Sequence, residues 1–288
     1  MSAAHALQPV PARSVRTRRI AFVYPEASLD RHYVQGDLVM SHIVSMLSAL
    51  FPEGEDFFVH SVRHYADQVT DPELKKQVAG FIGQEVTHGR EHRALNERLQ
   101  EMGYPTRAVD RFVKHGMAFT AKIRSPQVQL AITAALEHYT ATLAETLLSK
   151  PEAQALLGGN EVRSLLLWHA LEESEHKSVA FDVYQHVVGD EKVRIREMRI
   201  ITATFLAATI AWTVISLAGD RASYHPVRLA KSIAKLRHSP FLGRDVVARI
   251  RAYNRVGFHP DDIDASALLQ HWSAELFGEQ GTLTDHLR

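Results

Sequence analysis

Apolar residues recur at helical spacing through most of the chain, and a few ionisable residues fall inside those apolar stripes;. From Val34 to about Leu50 the pattern predicts one helix, and Phe51-Pro52 predicts a break or kink, because proline lacks the N–H a helix ladder needs;. A second run from about Glu53 to Val69 carries the stripe Phe58, Val59, Val62, Ala66, with Glu55 leading it. Asp71-Pro72 is a helix start, cap followed by proline, and the run continues to Gly103 with the stripe Val78, Phe81, Glu85, His88, His92, Leu95, Leu99;. Tyr104 to Arg124 reads as a crossover with one short helix. Pro126 to Leu148 is helical, its stripe being Leu130, Ala134, Glu137, Ala141, Ala144 and Leu148. Gly158-Gly159-Asn160 then opens a run whose stripe holds Val162, Leu165, Leu166, His169, Glu173, His176, Ala180 and Val183;. Residues 1–18 read as a flexible arm without the apolar stretch of a signal peptide, and Arg19–Tyr24 as a short strand or extended segment;. The expectation is an all-α fold: a four-helix bundle with additional N- and C-terminal helices, one domain over 19–288.

The polar residues inside the stripes carry the chemistry. At about 100° per residue, His169, Glu173 and His176 lie within roughly 60° of one another. Burying three such groups unpaired would cost several kcal/mol, and a metal ion is their commonest partner. Glu85-Val86-Thr87-His88 and Glu173-Ser174-Glu175-His176 repeat one spacing on two separate stripes. Glu55 alone would be a first-turn acid answering the helix dipole. With Glu137 it completes an order of Glu, Glu-x-x-His, Glu, Glu-x-x-His along four helices. That is the ligand arrangement of ferritin-like di-iron and di-manganese carboxylate bundles. Four carboxylates match the charge of two divalent cations, and His88 and His176 add neutral nitrogens. His169, one turn before Glu173, is expected as a third imidazole ligand. His92, one turn after His88, is expected behind the ligands, orienting His88 or a carboxylate. Glu172, Glu175, His60, His64 and His138 are expected in solvent, and Tyr65, Tyr139 and Tyr184 in ordinary packing. The His259-Pro260-Asp261-Asp262 stretch reads as a capped helix start;.

Three segments, Phe51–Phe58, Phe81–His92 and His169–His176, resemble the bacterial family of predicted metal-dependent hydrolases, over roughly residues 18 to 270. That resemblance implies a ferritin-like bundle and a metal-dependent reaction. The His-x-x-x-Glu-x-x-His run is also similar, in ligand pattern only, to di-iron p-aminobenzoate N-oxygenases. The reading is therefore a dinuclear centre, with two Fe ions and Mn or Zn as alternatives. Its leading activity is O2-activating oxygenation of a small organic molecule, which would need an electron donor. The alternative is hydrolysis through a metal-bound hydroxide. Metal storage is weaker, since the chain has long segments outside the bundle.

Composition changes this picture only at the margins. Lys plus Arg equals Asp plus Glu at 33 each, so no overall field points to nucleic acid;. There is no Cys, which removes disulfides and thiolate chemistry, while 17 His suit a metal protein;. Residues 200–219 carry no charge and are long enough to cross a bilayer, but a fifth bundle helix or a dimer interface would read the same;. A cytoplasmic protein is expected, membrane-associated if 200–219 meets lipid, with a homodimer the other use of that stretch.

Overall fold

A computed structural model describes residues 14–288, and the described residues form an all-α bundle. Four helices make the frame: α1 (Leu38–Arg63), α2 (Pro72–Glu101), α4 (Pro126–Ser149) and α6 (Glu161–His176), with α3 (Thr106–Ile123) between the second and third of them. Ser48 faces Asn96, and Pro52 faces Gly89, so α1 and α2 are antiparallel. His92 meets His169 while Glu85 meets His176, so α2 and α6 are antiparallel as well. Ser61 bonds Thr133 toward the far end of α1, placing α4 antiparallel to α1. Helices α2 and α4 thus run the same way, and α3 is the crossover that carries the chain back between them. A short helix, α5 (Pro151–Leu157), joins α4 to α6.

Several boundaries differ from expectation for identifiable reasons. Helix α1 continues through Pro52 instead of breaking. Proline leaves the Ser48 carbonyl without its helical N–H, and the Asn96 side-chain amide donates to that carbonyl at 3.0 Å. The crossover is a full helix of 18 residues rather than a short one, because α3 lays Val109 and Val113 against the frame. The run beginning at Asn160 ends at His176, and α7 (Val179–Val187) continues it after a turn at Lys177–Ser178. Lys177 is buried there, donating to Glu145 at 2.9 Å and to the Ile263 carbonyl at 2.7 Å.

Of the expected N-terminal arm, residues 1–13 lie outside the described residues; residues 14–18 lie along α2. An added Cβ on Gly80 or Gly83 would collide with the Val15 carbonyl or the Thr17 hydroxyl, so these glycines permit that close approach;. Arg19–Tyr24 forms no strand; Ile20 makes one isolated bridge to Leu287. Residues 200–219 fall within α8 (Glu191–Ala218) and its C-terminal cap, packed along one side of α1 and α4. Its following residue region is fixed by Asp220, whose Oδ2 accepts from His32 (3.0 Å), His42 (3.1 Å) and Arg31 (3.0 Å). The C-terminal part adds α9 (Pro226–Leu236), α10 (Arg244–Ala252) and α11 (Ser266–Phe277). His259 caps the short turn Pro260–Asp262, as its sequence suggests, and also meets Asp182 at 2.7 Å.

Candidate metal centre

One helix each supplies Glu55 (α1), Glu85 with His88 (α2), Glu137 (α4), and His169 with Glu173 and His176 (α6). All seven lie at one level of the bundle interior, and none is more than 4% exposed. Their ligand atoms fall into overlapping groups. Glu55, His88 and His169 have atoms within 4.8 Å of one another, as do Glu85, Glu137 and His176. Two carboxylates join the groups. Glu173 Oε1 lies 2.9 Å from His169 Nε2 and 3.7 Å from His88 Nδ1, while its Oε2 lies 3.6 Å from His176 Nε2. Glu85 Oε1 is 3.1 Å from His176 Nε2, and its Oε2 is 4.0 Å from His88 Nδ1. The remaining acids approach one group each: Glu137 is 3.3 Å from His176 Nε2, and Glu55 is 3.7 Å from His169 Nε2. Two half-sites spanned by Glu85 and Glu173 are what a dinuclear, carboxylate-bridged centre requires.

The polar groups behind the ligands fix which ring nitrogen faces inward. His88 Nε2 donates to Glu172 at 3.0 Å, leaving the Nδ1 lone pair for the site. Gln84 donates its amide N–H to Glu175 at 2.8 Å, so its oxygen accepts from His176 Nδ1 at 2.9 Å and His176 Nε2 faces inward. Burial lowers this imidazole, but Glu173 and Glu137 outweigh it and raise it well above its ordinary value until a cation displaces the proton;. The third imidazole is set by a longer relay. Ser48 Oγ donates to Asn96 Oδ1 (2.8 Å) and so accepts from His92 Nδ1 (2.9 Å); His92 Nε2 then accepts from His169 Nδ1 (2.7 Å). This chain turns His169 Nε2 toward Glu55 (3.7 Å) and toward Glu173, to whose carboxylate it donates at 2.9 Å until a cation takes the proton's place. His92 therefore orients His169, not His88 or a carboxylate as the sequence suggested. Such partners fix the tautomer and raise the basicity of metal-ligating histidines. Phe51 packs edge-on against His169 (4.9 Å), Phe81 against His176 (5.0 Å) and Trp168 against His88 (5.0 Å), holding the rings in place.

Glu172 and Glu175, expected in solvent, are buried, because α6 is covered on every side from Leu167 to Ser178. Arg18 compensates both: Nη1 donates to Glu172 at 2.9 Å and to Glu175 at 2.8 Å, and Nη2 donates to Glu175 at 2.6 Å. His138 is buried too, bonded to the Arg249 carbonyl at 2.9 Å, whereas His60 and His64 are exposed and Tyr65, Tyr139 and Tyr184 pack in the core. Sequence reasoning missed Arg18, Gln84, Ser48 and Asn96. The one available signal was Pro52, which leaves the Ser48 carbonyl in need of another donor;.

The metal-free electrostatics of this pocket are unfavourable. Burial, then repulsion from Glu85, Glu173 and Glu137, drives the Glu55 carboxyl well above its ordinary range;. Burial and Glu137 do the same to Glu85. Burial and Glu173 raise Glu137 to about 7. Burial would raise Glu173 as well, but His176 and His169 outweigh it and hold this carboxylate low. Burial and neighbouring imidazoles depress His88. Both oxygens of Glu55, Glu85 and Glu137, one of Glu173, His88 Nδ1 and His176 Nε2 have no hydrogen-bond partner. Buried polar atoms are nearly always satisfied, so a converging set of orphaned lone pairs is the mark of a cation site. The residues fit a pair of divalent ions.

A cleft of about 580 Å³ lies elsewhere, lined by Leu148, Arg163, His271 and Trp272 among others, and none of the seven residues borders it. Comparison with known proteins adds one finding. No curated protein and no solved structure matches the chain. Residues 16–264, however, match the family model described as a predicted metal-dependent hydrolase, and the chain belongs to that family.

Proposed function

We propose that the centre holds two divalent cations and hydrolyses a small organic molecule. The observation that carries this reading is the set of orphaned carboxylate and imidazole lone pairs converging from four helices, in a chain of a metal-dependent hydrolase family. The one-crossover bundle is also how di-metal carboxylate proteins present a Glu from two helices and Glu-x-x-His from two others. Glu55, His88 and His169 would hold one ion, Glu137 and His176 the other, with Glu85 and Glu173 shared. Bound divalent ions supply Lewis acidity and lower the pKa of water toward neutrality.

The chain's own residues support that chemistry in three ways. Glu172, Gln84 and the Asn96–Ser48–His92 relay fix which nitrogens of His88, His176 and His169 face the ions. Glu137, whose carboxyl lies near 7 without a cation, releases that proton as it takes up its ion, so uptake is matched to neutral pH;. The aromatic wall of Phe51, Phe81 and Trp168 excludes bulk water, which strengthens each electrostatic contact inside;.

The O2-activating oxidoreductase rests on the same ligands and has only the ligand pattern behind it. One experiment separates the two. The protein loaded with Zn or Mn under nitrogen is offered activated carboxylic and phosphoric esters, and the Fe(II)-loaded protein is mixed with O2. Ester cleavage without O2, abolished by chelation, supports the hydrolase. A transient visible absorption band with Fe(II) and O2, together with no hydrolysis, overturns it.

A further inference from the structure

We propose that the outer face shared by α8 and α3 docks on an anionic lipid surface, lying in the plane of the interface without crossing it. Helix α8 contains residues 200–219, which have no charge, yet only 11% of its most apolar window is buried. Leu206, Ile210 and Val214 follow one another at helical spacing and are 48%, 64% and 59% exposed. Phe112, Phe119 and Ile123 of α3 are 54%, 61% and 56% exposed. The Phe112 and Trp212 rings touch with centroids 5.5 Å apart, so the exposed stripe of α3 lies beside α8. Soluble proteins rarely expose contiguous patches of this kind without a partner.

The helix cannot leave the bundle to span a bilayer. Near its start, Arg194 is buried and donates to the Tyr253 and Arg255 carbonyls and to Glu191. Toward its end, Ser216 bonds His42 at 2.6 Å, and Asp220 is held by His32, His42 and Arg31. One stripe of α8 is therefore tied to protein, and the opposite stripe faces outward, the geometry of an interfacial helix.

Charge selects the occupant. The chain is neutral overall. Between Thr106 and Arg124, by contrast, there are five cations and the single acid Asp110. Lys114 is engaged with Glu53, but Arg111 and Lys122 are exposed. A second copy using the same face would set cations against cations. Anionic headgroups complement them, each nearby cation strengthening binding by about five-fold.

The test is co-sedimentation of the full-length protein with phosphatidylcholine vesicles, with and without roughly a quarter of phosphatidylglycerol. Binding to the anionic vesicles is expected to exceed binding to the neutral ones and to weaken at high salt. Ile210→Glu together with Val214→Glu should lower it at least about ten-fold. Because a doubly charged helix could fold poorly, Arg111→Glu and Lys122→Glu form a second pair, each expected to lower binding about five-fold or more. Absence of vesicle binding overturns the proposal, as does equal binding to neutral vesicles or binding that neither pair alters. A dimer in solution that Ile210→Glu dissociates, with no lipid binding, overturns it in favour of a second copy.

Discussion

Replacing Arg18 by alanine tests the support behind the metal centre. The guanidinium is 11% exposed and lies between Glu172, fully buried, and Glu175, 10% exposed. Its loss leaves Glu172 with His88 and Glu175 with Gln84 as remaining donors. Removing one member of a buried ion set costs about 3–5 kcal/mol. The slight water access of Arg18 and Glu175 places the expected loss near the lower end, about 3 kcal/mol. At roughly 2 °C per kcal/mol for a chain of this size, Tm should fall by about 6 °C. Burial already raises the Glu172 and Glu175 carboxyls, with Arg18 opposing it. Without Arg18 they rise further, so the folded variant holds protons that the unfolded chain has released. The penalty therefore grows as pH rises above the ordinary carboxylate value and is smallest in acid. A protonated Glu172 accepts less well from His88 Nε2, and weakening such an outer partner typically costs about 10–100-fold in metal affinity. Differential scanning calorimetry at pH 5 and pH 8, with zinc competition against a chromophoric chelator, reads both effects. A Tm and a zinc affinity both equal to those of the parent protein would show that Arg18 is a surface contact and refute the reasoning.

Four further outcomes follow from the same geometry. Glu85→Gln should lower bound metal, measured by elemental analysis, yet stabilise the metal-free protein by about 1–2 kcal/mol, because a neutral amide ends the repulsion with Glu137;. His176→Ala should lose metal with helicity retained by circular dichroism, and parental metal content in both variants would remove these residues from the site. Asn96→Leu should cost about 2 kcal/mol by orphaning the Ser48 carbonyl next to Pro52;. It should also free the His169 ring tautomer, visible in its ¹⁵N shifts. Metal affinity should rise by at least about ten-fold per pH unit up to about 7, since Glu137, near 4.5 when unfolded and about 7 when folded, must release its proton to bind a cation, and Glu55 and Glu85, raised as well, must release theirs;. The metal-free protein moves oppositely, losing the Glu137 contribution across that window. A pH-independent affinity in calorimetric titration would exclude a proton displaced from this carboxylate.

The ligand positions were legible in the sequence because each is a local event. A Glu or His inside an apolar stripe announces itself within one helix, and the Glu-x-x-His repeat at 85–88 and 173–176 places two ligands on one face by helix geometry alone;. Helix starts at Asp71 and Asn160 were equally local, and their side chains accept the expected backbone bonds. What stripe reading could not supply was anything set by neighbours distant in the chain. Glu172 and Glu175 lie off the stripe of α6, and only the packing of other helices and residues 14–18 around that helix decides that they are buried and paired with Arg18. The same holds for α8. Its uncharged stretch fits a buried helix, a dimer face or a lipid surface equally well, and the tertiary arrangement alone leaves Ile210 and Val214 outside. Periodicity encodes which residues share a face, whereas what that face meets depends on contacts between segments far apart in sequence. Thus the sequence determined the seven candidate ligands and the all-α class, and the tertiary structure decided how they divide into two half-sites and which polar groups hold them.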